Sequence, residues 1–185
     1  MSIDRLSFFA FFIISVGFFS CDAKNPYDTG PAYDVSGNLA KDSLLIVEYL
    51  KTAEIDSLYR IYDPSGVVVI VQEEGVGSRP NTGNVIYTNY VGSLMSDGSV
   101  FDTNIESVAI ENDIYVESRA YEALSFLLGT GSVITGWEYG FRRLRSGAKA
   151  TLIIPSPLGY RDSPSNDRIP PNSILIFDVE FKGMD

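Results

Sequence analysis

From Val67 to the C-terminus the sequence is written almost wholly in strand-forming runs, and one stretch breaks the habit. VVVIVQEE (67–74), VIYTNYVGSL (85–94), ALSFLLG (123–129), AKATLIIPSPLGY (148–160) and ILIFDVEFKG (174–183) are short and rich in β-branched or aromatic residues. Turn formers bound them, so they read as strands. Asp97-Gly98 adds a strong hairpin signal after the second run. The exception is GTGSVITGWEYGFRRLRSG, residues 129–147. It opens as a glycine-rich loop and continues with Trp137, Phe141 and Leu144 at i, i+4 and i+7, one apolar helix face. Thr135 and Glu138 have the spacing of a capping box, and Gly147 supplies a stop. The expected architecture is α+β: an antiparallel sheet with one short helix packed across it. The chain's single tryptophan falls in the first turn of that helix, just after a bend. That is either ordinary core filling or the floor of a pocket.

Composition removes most chemistries. The 185 residues suit one domain, with a formal charge of −10 that argues against a nucleic-acid partner. There is no histidine, which excludes Ser-His-Asp and Cys-His catalysis and the commonest transition-metal ligand. One cysteine allows neither an internal disulfide nor a Cys-rich zinc site. The acidic residues of 103–122 lack calcium-loop spacing, so no metal and no cofactor is expected. Carboxylates, hydroxyls, backbone groups and apolar enclosure are what remain.

The cysteine has a telling address. Arg5 precedes an apolar run from Leu6 to Phe19, too short to cross a bilayer and suited to a secretory signal. Ser20 before Cys21 resembles a bacterial lipobox, in which the cysteine is lipidated and becomes the first residue of the mature chain. The alternative is an ordinary cleaved signal that leaves a free thiol. The expected organisation is a signal peptide at 1–20, a lipid-anchored flexible tether at 21–37, a helical segment at 38–62 and one domain at 63–185. Within the third part, LAKDSLLIVEYLKT (39–52) has near-helical spacing of Leu39, Ser43, Ile46 and Leu50. YDPSG then makes a turn.

Three separated motifs carry a family resemblance: YTNYVGSLMSDGSVFDTN, FLLGTGSVITGWEYGFRRLRSGAKATLIIPSPLGYRD and RIPPNSILIFDVEF. In this order they resemble an FKBP-type peptidyl-prolyl cis-trans isomerase domain over about residues 84–182. With the lipobox and the preceding helix, the chain also resembles FKBP-type lipoproteins, including those linked to gliding motility. The resemblance implies an FKBP-like sheet wrapped around one short helix, with an N-terminal helical extension. It implies rotation about X-Pro bonds of polypeptide clients, macrolide binding, and no cofactor. By motif position the catalytic pocket residues are Tyr90, Phe101, Asp102, Trp137, Tyr160 and Phe177, with Trp137 as floor. The substrate-binding residues are Leu124, Val133, Ile134 and Ile169. Ile134 offers its backbone N–H and Tyr160 its hydroxyl to the peptide, and Asp102 pairs with Tyr90. Leu124 stands where the family usually has an aromatic ring, and Ser132 where it commonly has a glutamate.

Each of these residues alone also reads as sheet packing. The rival function is a non-catalytic peptide-binding or chaperone module on the same fold, and a purely structural lipoprotein is a third. Arg142, Arg143, Arg145 and Lys149 form a basic cluster in an acidic chain. It is either a solvated face or a site for an anionic partner. Residues 103–122 exceed the family's usual spacing and are expected to form an enlarged flap beside the pocket. The expected location is the cell envelope, facing the periplasm or on the outer membrane, with the lipid as the membrane partner.

Overall fold

A computed structural model describes residues 32–163 and 167–185. The signal peptide, Cys21 and most of the tether lie outside the described residues. The elements run α1 (Val35–Thr52), β1 (Tyr59–Tyr62), β2 (Val68–Glu73), β3 (Val85–Leu94), β4 (Val100–Thr103), α2 (Glu106–Glu111), β5 (Leu124–Leu127), α3 (Thr135–Phe141), β6 (Lys149–Ile154) and β7 (Leu175–Met184). A single 3₁₀ turn, Ser156–Leu158, follows β6. All strand pairs are antiparallel, in the order β1-β2-β6-β7-β3-β4, with β5 also on β3.

The sheet is covered on both faces, and the period of two decides which residue goes where. Val67, Val69, Val71, Leu152, Ile154, Leu175, Phe177 and Val179 face α3 together with Trp137, Phe141 and Leu144. The alternate residues Val68, Ile70, Ile153 and Ile176 face Ile46 of α1. α3 lies unusually close to the sheet. A Cβ on Gly136 would stand 2.3 Å from Ile154 and one on Gly140 2.8 Å from Leu152, so two glycines one turn apart set the spacing.

Several expectations need correcting. The first helix starts at Val35, inside the stretch read as tether, because Asp34 caps it by accepting the Gly37 N–H at 2.9 Å. The segment 38–62 is not wholly helical: β1 ends it and pairs with β2. α3 stops at Phe141, six residues before Gly147, in a turn with Arg143 N–H to Gly140 O and Leu144 N–H to Phe141 O. The capping box is also absent. Ile134 is the N-cap residue and makes no side-chain cap bond.

The basic cluster is satisfied within the chain. Arg143 Nε donates to Asp63 Oδ2 at 2.6 Å, Arg142 to Thr82 at 3.0 Å, and Lys149 pairs with Glu73 at 2.8 Å. Arg145 pairs with Glu74 at 3.3 Å. These are internal partners for all four cations, which weakens the anionic-partner reading.

Candidate functional site

The site begins in the glycine-rich turn before α3. Glu138, nearly buried, turns back and accepts the Gly129 N–H at 2.6 Å and the Gly131 N–H at 3.1 Å. This is where the would-be capping glutamate goes. By holding residues 129–131 it places Ser132, Val133 and Ile134 along one rim of a cavity. The Ile134 carbonyl accepts the Trp137 N–H at 3.0 Å, while the Ile134 N–H has no acceptor among the described residues.

The cavity measures about 340 Å³ and is lined by Tyr90, Asp102, Leu124, Ser132, Val133, Ile134, Trp137, Tyr160 and Phe177. Trp137 is 3 % exposed and sits among four rings. Tyr90 and Phe177 meet it edge-on at 5.2 Å, and Phe141 and Phe126 lie at 5.3 and 5.6 Å. Its Nε1–H is buried with no partner among the described residues, so the ring is held by packing rather than by its donor. A cavity of about 540 Å³ on the other side of the sheet is larger. Its wall carries Glu54, Asp56, Asp97 and Asp178 and lacks a cluster of rings, which suits a proline ring poorly.

One polar network borders the apolar cavity. Tyr90 donates its hydroxyl to Asp102 Oδ2 at 2.5 Å, as the resemblance implies. Arg119 donates to Asp102 Oδ1 at 2.6 Å and to the Tyr90 hydroxyl oxygen at 3.1 Å. Burial, reinforced by the Asp102 bond, pushes the Tyr90 hydroxyl pKa well up. Burial opposes the charge of Arg119, but its bonds to Asp102 and Tyr90 prevail and raise its pKa. The network therefore holds a neutral phenol and a charged guanidinium throughout the physiological range.

Sequence reasoning missed Arg119. It comes from residues 103–122, where it is the only basic residue among five acidic ones, and that isolation was the available signal. β4 and β5 pair side by side with opposite halves of β3, so the chain between them must leave the sheet next to Tyr90. Thr103 ends β4 and the Asn104 side chain is bonded to β3, so these two residues are fixed to the sheet rather than part of a flap. Thr103 Oγ1 donates to the Tyr90 carbonyl at 2.6 Å. Asn104 accepts the Tyr90 N–H at 2.8 Å and donates to Glu122 O at 2.8 Å, tying both ends of the excursion together. The excursion holds α2, with Ala109 buried, and a stacked pair, Tyr115 and Tyr121, at 5.5 Å.

Eight of the ten pocket residues expected from sequence come together in this cavity. The other two stand behind or beside it. Ile169 is buried in the core at 2 % exposure. Phe101 packs edge-on against Phe177 at 5.6 Å and faces a second cavity, beyond Asp102, which Ile114, Tyr115 and Arg119 also line.

Comparison with known proteins fits this geometry. Residues 77–182 match the family model described as FKBP-type peptidyl-prolyl cis-trans isomerase. The chain belongs to that family. It is 36 % identical over 120 residues to the peptidyl-prolyl cis-trans isomerase FKBP53 of Arabidopsis thaliana, covering 64 % of this chain and 22 % of that protein. An FK506-binding protein of Neisseria meningitidis is 33 % identical over 116 residues, covering 63 % of this chain and 94 % of the relative. Among solved structures, FkpA from Escherichia coli superposes with a TM-score of 0.57 at 30 % identity, covering 80 % of this chain and 63 % of that one. This FKBP-family chain thus spans about a fifth of the plant protein and under two thirds of FkpA. Strands β3 to β6, most of β7, the short helix and the Trp137-floored cavity lie within the matched stretch, whereas β1 and β2 precede it.

Proposed function

We propose that the protein is a peptidyl-prolyl cis-trans isomerase, lipid-anchored in the cell envelope and acting on X-Pro bonds of exported proteins. The observation that carries the reading is the cavity itself: an aromatic floor with polar groups only around it. Rotation about an X-Pro bond has a barrier of ~18–20 kcal/mol and breaks no covalent bond. No nucleophile or strong base is required, so a chain without histidine is adequate. A proline ring seated on Trp137 takes its amide out of water, which disfavours the planar, charge-separated form. The Ile134 N–H and the Tyr160 hydroxyl then accept the role of fixed donors to the peptide carbonyls as the bond twists. Lowering the barrier by roughly 5 kcal/mol gives almost four orders of magnitude in rate.

With no acid or base at work, Tyr160→Phe is expected to lose one hydrogen bond, about 0.5–1.5 kcal/mol, and slow the reaction roughly tenfold or less. The rate should be nearly flat from pH 6 to 8, because Tyr90, whose pKa is raised, stays protonated there. A protease-free assay on short X-Pro peptides with varied X measures both. A steep bell-shaped pH profile, or complete loss of activity in folded Tyr160→Phe, would falsify the mechanism. A wild-type protein inactive on every peptide, yet binding them, favours a peptide-binding module instead. The same site makes macrolides candidate ligands.

The anchoring half of the reading is supported by the apolar run 6–19 and Ser20-Cys21. Among the described residues no helix is long and apolar enough to cross a membrane. Acyl chains on Cys21 supply the attachment, and more than one is needed for it to be stable. Mass spectrometry of the membrane fraction is expected to show a lipidated N-terminal Cys21. A soluble product starting downstream of it refutes the anchor.

A further inference from the structure

Asp42 is the buried charge that nothing above explains. It lies on α1, before the stretch matched by the family model, and is only 3 % exposed. A carboxylate that deep needs strong donors. Asp42 Oδ2 accepts both the Ser156 N–H at 2.7 Å and the Ser156 hydroxyl at 2.6 Å. Ser156, itself fully buried, starts the 3₁₀ turn after β6, and its carbonyl accepts the N–H groups of Gly159 and Arg161 at 3.1 Å each. Residue 160, between those two, is the tyrosine on the cavity wall.

A second contact grips the other end of the same loop. The Arg161 guanidinium lies over the Tyr33 ring, 5.8 Å from its centroid, and the Tyr33 hydroxyl is 3.4 Å from Ser156 Oγ. Tyr33 precedes Asp34, the N-cap of α1. The arm Tyr33–Asp42 therefore holds residues 156 and 161, one on each side of the loop that presents Tyr160. A helix needed only to cover the back of the sheet could do so with Ile46 and its neighbours alone.

We infer that Asp42 is a positioning residue: through Ser156 it fixes the Tyr160 loop, which makes the N-terminal arm a working part of the isomerase site. The inference rests on the isomerase reading. A double-mutant comparison on the full-length chain tests it, with wild type, Asp42→Ala, Tyr160→Phe and the double variant assayed for kcat/KM on one X-Pro peptide well below their melting temperatures. Asp42→Ala is expected to lose roughly five- to tenfold in kcat/KM in the wild-type background. In the Tyr160→Phe background it should lose less than about twofold, because the group it positions is already disabled. Asp42→Asn keeps a carbonyl acceptor for Ser156 and should recover most of the loss.

Tyr33→Leu, which leaves the buried carboxylate in place, should show the same background dependence at smaller size and serves if Asp42→Ala does not fold. Equal losses in both backgrounds, or a folded Asp42→Ala protein with wild-type kcat/KM, overturn the inference and leave Asp42 as a stability anchor. If wild type proves inactive, the isomerase reading fails by itself. The same proteins are then compared for affinity toward a proline-containing peptide by Trp137 fluorescence, and the same pattern of losses is expected, with its absence overturning the inference.

Discussion

Trp137→Ala is expected to remove about 3–5 kcal/mol of stability and to leave no measurable acceleration of X-Pro rotation. The stability loss follows from its setting, at 3 % exposure with four rings around it. Each ring contact adds to simple burial, and alanine leaves a void that Gly136 and Gly140, which already bring α3 close, cannot fill. The activity loss has a separate cause, since the truncation turns the floor of the cavity into a hole. Trp137→Phe separates the two effects. No hydrogen bond is lost, because the indole N–H has no partner among the described residues, so the phenylalanine variant should keep more than half the stability and part of the rate. Denaturant melts and rates taken well below each melting temperature measure this. A Trp137→Ala protein with an unchanged melt and wild-type rate would show that the ring is neither core nor floor.

Asp102→Ala is expected to slow catalysis by roughly 10–100-fold, the equivalent of one or two hydrogen bonds to a charged group. It strips the Tyr90 hydroxyl of its acceptor and releases Arg119 at once. The ion pair alone contributes little, because both side chains are more than a third exposed. The damage comes from the buried phenol and from the excursion 105–121, which loses its anchor to the cavity. Arg119→Ala keeps the Tyr90–Asp102 bond, so a milder loss, within about tenfold, is expected. Hydrogen exchange over 106–121 should rise in both variants. Unchanged exchange there, with unchanged rate in Asp102→Ala, refutes the role assigned to the network.

How far the sequence alone reaches is clearest by comparing neighbours. VIYTNYVGSL was readable as β3 because it is long and rich in β-branched and aromatic residues, and the structure buries every second residue of it. YRIY was not readable as β1: four residues, exposed at both ends, carry too little periodicity. Trp137 could be placed at the head of a helix, since one apolar face and a glycine-rich approach agree. Glu138 was misread because local spacing suggested a cap, whereas the carboxylate answers two backbone N–H groups in a turn seven and nine residues earlier. The partners of Arg119 and Asp42 could not be read for a related reason, although Arg119 stands out as a lone cation among acidic residues. Those partners lie 17 and 114 residues away, and pairings at that range leave no trace in a local pattern. Phe101 and Ile169 came with the family motif, which identifies residues near the pocket without saying which face of a strand or loop each one takes.

The place of β7 in the sheet has a consequence for how the protein is made. Formed from residues 175–184, it lies between β6 and β3 and pairs with β3 along its whole length and with β6 over Leu175–Glu180. Without it the sheet falls into two separate halves, and Phe177 is missing from the cavity. A growing chain therefore has no way to close its core or form its pocket until β7 has left the ribosome. Non-local closure of this kind is slow compared with helix formation. For a chain exported in the manner proposed above, that delay is useful: the polypeptide stays threadable through a translocation channel, and its fold is completed only on the far side.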